Sequence, residues 1–204
     1  MKEENIIKIF EDYRNKIGNR RELYKNVIEK YNVESILYPG SHVDIEPSFL
    51  ISKVIYVDNF KGTISFFKHI DVIKDYIEKN KYYKEQCNLV FKAIDYRKPL
   101  NIEPVDLIIS QYAGFVGQGT KEYLKTGGIL LCNDSHGDAT LARFDTDYKL
   151  IGVIDHSYRI IETGLDKYFT LSKERTVNLD KVKKKMKGPK YIHKAENYLF
   201  RKVN

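Results

Sequence analysis

The chain has 204 residues, of which 42% are hydrophobic, and it carries a formal net charge of +7. It is long enough to bury one hydrophobic core, so we predict a single domain over residues 1–204. No segment approaches the roughly 20 consecutive apolar residues of a membrane helix, and the N-terminus lacks the apolar run of a signal peptide. We therefore expect a cytoplasmic protein without membrane contact.

The positive charge is concentrated at the C-terminal end. Residues 172–204 contain 11 Lys and Arg against 3 Asp and Glu, whereas residues 1–171 contain 24 against 25. We therefore predict that residues 172–197 form a basic loop, centred on Lys181–Lys190. A segment of this kind can contact the phosphate backbone of a nucleic acid or an anionic substrate, or it can be a solvated lysine-rich loop.

Helical and strand patterns alternate along the first half of the chain. The predicted elements are an N-terminal helical segment over residues 1–31 that is broken at Gly18-Asn19, a strand over Ser35–Tyr38, a crossover helix within Asp44–Ser52, a strand over Lys53–Val57, a helix over Thr63–Tyr83 and a strand over Asn88–Asp95. Pro47 suits the first turn of the crossover helix, because its missing N–H is not needed there.

The second half continues the alternation. The predicted elements are a strand over Val105–Ser110, a helix over residues 119–125, a strand over Gly128–Cys132, a polar loop over residues 133–140, a strand over Tyr148–Ile154, a helix near Leu165–Leu171 and a last strand over Tyr198–Val203. Strands that are apolar throughout belong in a sheet covered on both faces by helices. We therefore predict an α/β fold with a doubly wound, mostly parallel seven-stranded sheet and a C-terminal edge strand.

Ligands of a doubly wound sheet bind at the carboxyl ends of its strands. The residues just beyond the strands form five segments: Tyr38–Asp44, Asp58–Phe60, Asp95–Arg97, Ser110–Gly114 and Asn133–Asp138. Asp58 follows the second strand, 18 residues beyond Gly40, and an acid there can accept hydrogen bonds from both hydroxyls of a ribose. It can equally be an aspartate that ends the strand and faces water.

Three segments resemble the class I S-adenosylmethionine-dependent methyltransferases: ILYPGS followed by YVD, then VDLIISQYAG, then EYLKTGGILL. In that family a Leu-Lys-Pro-Gly-Gly turn leads into the fifth strand, and here LKTGG over residues 124–128 matches except for Thr126. The resemblance covers nearly the whole chain. It implies a Rossmann-like methyltransferase domain that uses S-adenosylmethionine, with a last strand antiparallel to its neighbour.

The resemblance also implies candidate site residues. Gly40 corresponds to the first glycine of the cofactor loop, Asp58 to the acid that binds the ribose, and Asp95 and Tyr96 to the place where adenine is held. The predicted cofactor-binding residues are Tyr38, Gly40, Ser41, Asp58, Asn59, Asp95, Tyr96, Ser110 and Gln111.

The cofactor loop departs from the family pattern at three positions. Tyr38 stands where an acid is expected, His42 at the second glycine and Asp44 at the third. Glycines there let the backbone approach the ligand, whereas side chains occupy that space. Asp44 can face the ammonium or sulfonium group of the cofactor, or it can cap the following helix.

Tyr112 and His136 are candidate substrate-binding residues. An aromatic ring beyond the fourth strand can stack on a planar acceptor or contact a sulfonium, although Tyr112 can also be a packing residue. His136 and His42 are the best placed histidines if a general base is needed. The histidines and carboxylates of both loops lack a spacing diagnostic of metal, so we predict no metal site.

The sequence thus favours a methyltransferase whose acceptor and catalytic residues are unknown. Two alternatives stay open: a methyltransferase-like binding or regulatory protein without cofactor, and a nucleic-acid binder that uses Lys181–Lys190.

Overall fold

The computed structural model describes residues 3–172 and 176–204. These residues form seven α-helices, three short 3-10 helical turns and eight strands. The contacts within the chain divide it into two compact units, residues 1–101 and residues 102–204. A single domain over residues 1–204 stays a prediction. Among the described residues, no helix is both long and apolar enough to cross a membrane.

The first unit is a parallel three-stranded arrangement with helices. Its elements are α1 (Glu3–Ile17), α2 (Arg21–Tyr31), β1 (Ser35–Pro39), a 3-10 turn (Glu46–Phe49), β2 (Lys53–Val57), α3 (Lys61–Phe67), α4 (Ile70–Asn80) and β3 (Asn88–Lys92). The strand order is β3-β2-β1, and both pairs are parallel. All five residues of β1 are buried, as expected for a strand that is apolar on both faces.

The crossover between β1 and β2 differs from the predicted α-helix. It contains one 3-10 turn, Glu46–Phe49, and all four residues of that turn are buried. An amphipathic α-helix would expose one face, so this fully buried segment adopts a tighter turn that Pro47 initiates. The predicted helix over Thr63–Tyr83 is two helices, and the predicted strand over Asn88–Asp95 ends at Lys92.

The second unit is a mixed five-stranded arrangement. Its elements are β4 (Val105–Ser110), α5 (Val116–Gly119), a 3-10 turn (Lys121–Tyr123), β5 (Leu124–Cys132), α6 (Asp138–Arg143), β6 (Tyr148–Ile154), β7 (Ile160–Ile161), a 3-10 turn (Leu165–Phe169), α7 (Leu179–Lys185) and β8 (Asn197–Lys202). The order is β4-β5-β8-β6-β7; β4 and β5 are parallel, and the other pairs are antiparallel. With its flanking helices this is the predicted α/β fold class.

Three details of the second unit correct the predictions. β8 is antiparallel as expected, but it lies between β5 and β6 rather than at the edge, which the additional two-residue strand β7 occupies. Asn197–Phe200 are buried, as suits an interior strand. The helix predicted over residues 119–125 is wrong in its second half, because Leu124 already pairs with Val105 of β4.

Two short helices lie where loops are predicted. α6 falls partly in the polar loop after β5, and α7 falls in the basic loop, of which residues 173–175 lie outside the described part of the chain. α7 buries only Val182, so its sequence carries no apolar periodicity. Asn178 caps α7 by accepting the N–H of Lys181 at 2.8 Å.

The basic segment, defined here as residues 176–190, is anchored to the rest of the second unit. Leu171 and Tyr191, which flank it, form an antiparallel bridge. Val182 is buried and lies against Gly137, where an added Cβ would come within 2.5 Å of its Cγ1. The segment is therefore docked through a defined contact.

This contact predicts a large effect of Gly137→Ala. Gly137 has φ +94°, which disfavours an L-residue, and a methyl group there would also collide with Val182. We expect the free energy of unfolding, measured by urea denaturation, to fall by about 2–4 kcal/mol. The control is Gly127→Ala, since Gly127 has φ +85° but no neighbour within 4 Å, and its loss should be about 1 kcal/mol. Equal losses of unfolding free energy in the two variants would show that Val182 does not pack against Gly137.

Candidate functional site

The turn after β1 has the backbone of a glycine-rich loop at two positions. Gly40 has φ +64° and His42 has φ +52°, and the Gly40 N–H donates to the Val57 carbonyl at 2.8 Å. Ser41 between them is buried. A left-handed conformation costs a residue other than glycine about 1 kcal/mol, so His42 must be held by other contacts.

Asp44 turns away from this loop into the core of the first unit. Its carboxylate accepts the Tyr24 hydroxyl at 2.7 Å and the Tyr38 hydroxyl at 3.1 Å, and Arg20 Nη1 lies 3.6 Å from Oδ2. Burial raises the pKa of Asp44, while Arg20 and the hydroxyls oppose that rise. Asp44 also accepts the Glu46 N–H at 3.2 Å, but the N-cap residue of the 3-10 turn is Ile45, so Asp44 is not the predicted helix cap.

Tyr38 belongs to the same buried cluster. Its side chain is 1% exposed, and its hydroxyl lies 3.1 Å from that of Tyr24. The Tyr38 side chain therefore supports the loop from the core side, and any contact of this residue with a cofactor would have to come from its backbone.

The crossover turn is fixed to α1 and α2 by ion pairs. The buried Glu46 carboxylate lies 3.0 Å from Arg14 Nε and 2.7 Å from Arg21 Nε. Burial raises the pKa of Glu46, and the two arginines lower it. A buried carboxylate needs such partners, so the N-terminal helices hold the segment that follows the loop.

Asp58, at the end of β2, faces the loop. Oδ2 accepts the His42 N–H at 3.1 Å and the Thr63 hydroxyl at 3.4 Å, and Oδ1 accepts the Phe60 N–H at 2.8 Å. A carboxylate has about four lone-pair sites. Within the described part of the chain one acceptor site therefore stays open for a ligand hydroxyl, and the long bond from Thr63 is the easiest of the three to replace.

The His42 ring lies beside this carboxylate. Nδ1 is 3.2 Å from Thr63 Oγ1, and the ring makes an edge contact with Tyr13 at a centroid distance of 4.8 Å. Phe60 approaches from another side at 5.7 Å and is 58% exposed. Burial lowers the pKa of His42, against the opposing effect of Asp58.

Asp95 and Tyr96 follow β3 in a turn. The Asp95 carboxylate accepts the Arg97 backbone N–H at 3.0 Å and forms an ion pair with its guanidinium at 2.5 Å. These hydrogen bonds lower the pKa of Asp95 to about 2. The carboxylate is thus occupied by its own turn, while Tyr96 is partly buried and Asn59, after β2, is exposed.

In the second unit, Ser110 at the end of β4 binds a buried carboxylate. Its hydroxyl donates to Asp138 Oδ2 at 2.6 Å, and the Gly117 N–H donates to the same oxygen at 2.9 Å. Burial raises the pKa of Asp138 to about 7, although both hydrogen bonds oppose the rise. Asp138 sits at the first position of α6 and forms no ion pair with any residue that the structure describes.

Gln111 is part of a neighbouring amide network. Its Nε2 donates to Asn197 Oδ1 at 2.6 Å, and its Oε1 accepts from Asn133 Nδ2 at 3.1 Å. Both ends of the Gln111 amide are therefore held by side chains of the second unit. Tyr112, the next residue, has φ +57° and a side chain that is 58% exposed.

A cavity of about 260 Å³ lies at this end of β4 and β5. We call it the tyrosine cavity. The lining residues that matter below are Tyr112, Asn133, Asp134, Tyr191, Lys194 and Tyr198. Of the two predicted substrate-binding residues, Tyr112 is among the lining residues and His136 is not; His136 Nδ1 lies 3.1 Å from Ser135 Oγ.

Sequence reasoning missed several of these residues. Tyr13, Phe60 and Thr63 surround the Asp58 carboxylate, and Tyr191 and Tyr198 line the tyrosine cavity. Phe60 belongs to the predicted strand-end segment Asp58–Phe60 but was not singled out there, and the other four residues carry no local sequence signal. In the described part of the chain no group of three or more His, Cys, Asp or Glu side chains is arranged to hold a metal ion.

Known structures with a similar architecture include methyltransferases. A Klebsiella pneumoniae protein assigned as an O-methyltransferase matches at 9% identity and TM-score 0.51, over 92% of this chain and 80% of that one. A methyltransferase from Geobacter sulfurreducens matches at 11% identity and TM-score 0.50, over 73% and 82%. TehB from Haemophilus influenzae matches at 12% identity and TM-score 0.51, over 88% and 61%.

The chain has a Rossmann-like methyltransferase fold. The chain spans about half to four fifths of the length of the structures that it matches. No protein-family model matches the sequence, and no curated protein matches it. At these identities the likeness establishes the fold, and the activity has to be argued from the site.

The buried Asp138 predicts a pH dependence of stability. Its pKa in the folded state, about 7, lies above the value of about 3.9 in an unfolded chain. Between these values the folded state holds a proton that the unfolded state has lost, so Asp138 makes stability fall as pH rises from about 4 to about 7. Asp138→Asn should gain about 2–3 kcal/mol relative to the unmodified protein between about pH 5 and pH 8.

Urea denaturation at several pH values measures this difference. Asp166→Asn is the control, because the Asp166 side chain is fully exposed, and it should leave the pH dependence unchanged. A constant difference between Asp138→Asn and the unmodified protein across this range would show that Asp138 does not titrate there.

Proposed function

We propose that the protein is an S-adenosylmethionine-dependent methyltransferase. One observation carries the proposal: the half-buried Asp58 carboxylate faces the loop of Gly40 and His42 at the end of β2 and keeps an open acceptor site. A ribose hydroxyl is the donor that such a carboxylate accepts in nucleoside sites. The methyltransferase fold supports the same assignment.

The residues present fit the adenosyl group. Asp44, whose charge could have stood in the loop, is turned into the core, and Gly40 keeps the left-handed backbone of a glycine loop. Phe60 offers an exposed ring next to Asp58 for an adenine. The bound cofactor would supply an electrophilic methyl group, and Gly40, Ser41, Asp58 and Asn59 would hold and orient its adenosine part.

We also propose the other predicted contacts with the cofactor. Ser110 and Gln111 are held in hydrogen-bond networks that fix the end of β4, and Asp95 and Tyr96 form the turn after β3. We propose that the methyl acceptor binds in the tyrosine cavity against Tyr112. Methyl transfer depends mainly on the positioning of the acceptor, so a cavity without an obvious general base is compatible with it.

A second candidate, a methyltransferase-like protein that binds no cofactor, is favoured by one observation. The His42 ring occupies space that a glycine would leave open, and it contacts both Tyr13 and Phe60. Cofactor binding separates the two candidates.

The test is a titration with S-adenosylhomocysteine, followed by calorimetry and by the melting temperature. We expect binding and a rise in melting temperature, because a ligand of the folded state stabilises it. Asp58→Asn preserves the size of the side chain but removes its charge and one acceptor oxygen, and we expect affinity to fall by about tenfold or more.

Asp71→Asn, an exposed carboxylate on α4, is the matched control and should bind like the unmodified protein. Circular dichroism reports whether each variant is folded. If the unmodified protein binds neither S-adenosylhomocysteine nor S-adenosylmethionine, the methyltransferase proposal is wrong and the cofactor-free candidate replaces it.

A further inference from the structure

A second cavity of the second unit, of about 520 Å³, is lined by lysines. We call it the lysine cavity. Its described lining includes four lysines and no acidic residue: Lys181, Lys185, Lys187 and Lys190. The volume lies within the range of roughly 300–1,000 Å³ that small-molecule sites have. The cavity therefore combines the size of a ligand site with a charge of one sign.

The four lysines are not neutralised within the described residues. None of them forms an ion pair there, whereas Lys121 and Lys125 of the same unit lie 2.9 and 2.7 Å from the carboxylates of Asp145 and Asp106. Like charges around a concave, low-dielectric surface raise the local potential for an anion. An anionic ligand would provide a counter-charge that the described residues do not.

One wall of the lysine cavity is held in position by close packing. Gly188 lies so close to Asp134 that an added Cβ would overlap the Asp134 carboxylate. Asp134 in turn accepts the backbone N–H and the hydroxyl of Thr140 at 2.8 and 2.9 Å. The turn Lys187–Pro189 is thus positioned against the end of β5.

The same turn belongs to both cavities of this unit. Lys187, Gly188 and Pro189 line the lysine cavity and the tyrosine cavity alike. A molecule with an anionic end and a neutral or aromatic end could occupy both, with its anionic end among the lysines.

We propose that the lysine cavity binds a small molecule that carries a phosphate or pyrophosphate group. The next step rests on the proposed function: this molecule is the methyl acceptor, and its reacting end lies in the tyrosine cavity. A cavity of limited volume favours a small ligand over a nucleic acid, because a nucleic-acid backbone tracks exposed basic residues over a long surface. Lys183 and Lys184 of α7 are exposed and do not line the cavity.

Helix α7 provides a matched test. The double variant Lys181→Gln and Lys185→Gln removes two charges that line the cavity, and the double variant Lys183→Gln and Lys184→Gln removes two charges from the same helix that do not. All four side chains are exposed, so both variants should fold. The probe is inorganic pyrophosphate, and its affinity for the full chain is measured by calorimetry at one fixed salt concentration.

We expect pyrophosphate to bind the unmodified protein. The cavity variant should bind about tenfold more weakly, and the control variant should stay within about twofold, because screened surface charges contribute little at a distance. Equal losses in both variants would overturn the proposal in favour of diffuse surface charge, and so would the absence of pyrophosphate binding.

Two further titrations distinguish the alternatives. If a short DNA duplex or single-stranded RNA binds more tightly than pyrophosphate, and both variants weaken that binding equally, the ligand is a nucleic acid rather than a small molecule. S-adenosylhomocysteine should bind both variants like the unmodified protein. If S-adenosylhomocysteine does not bind at all while pyrophosphate binds with the expected difference between variants, the cavity assignment stands and the methyltransferase proposal fails.

Discussion

The loop after β1 depends on the burial of the Asp44 carboxylate. A charge at a position that the methyltransferase pattern gives to glycine would stand in the loop, but Tyr24, Tyr38 and Arg20 draw it into the core. A buried carboxylate without such partners costs several kcal/mol. Tyr38 stands where the pattern has an acid, and its hydroxyl donates to Asp44, so the residues at these two departures are hydrogen-bonded to each other.

His42, the third departure, keeps the backbone of a glycine and adds a side chain. The left-handed conformation aims its N–H at Asp58, while Thr63 and Tyr13 hold the ring. The strain at this residue is therefore offset by contacts from α1 and from the start of α3. A ligand of Asp58 would meet the imidazole ring beside the carboxylate, so the loop is narrower than a glycine loop.

The sequence predicts the strands better than the contacts that make the site. Short apolar runs such as Val54–Val57 of β2 identify buried strands, and Asp58 is placed correctly just beyond a strand end. The bond between Tyr24 and Asp44 joins residues 20 positions apart on different elements, and no local pattern encodes it. Helix α7 was not predicted, because a single buried residue, Val182, gives its sequence no apolar periodicity. The interior place of β8 depends on pairing with both β5 and β6, which chain order does not reveal.

The lysines of the basic segment divide into those with a structural explanation and those without one. Lys183 and Lys184 lie in the last turn of α7, where a positive charge interacts favourably with the helix carbonyls, and Lys185 shares that position. Lys181 precedes that turn, and Lys187 and Lys190 lie beyond the helix. Helix stability thus accounts for Lys183 and Lys184, which do not line the lysine cavity, and for Lys185, which does. Among the described residues no carboxylate pairs with the remaining three cavity lysines, so their like charges repel one another, a cost that is offset when an anion enters.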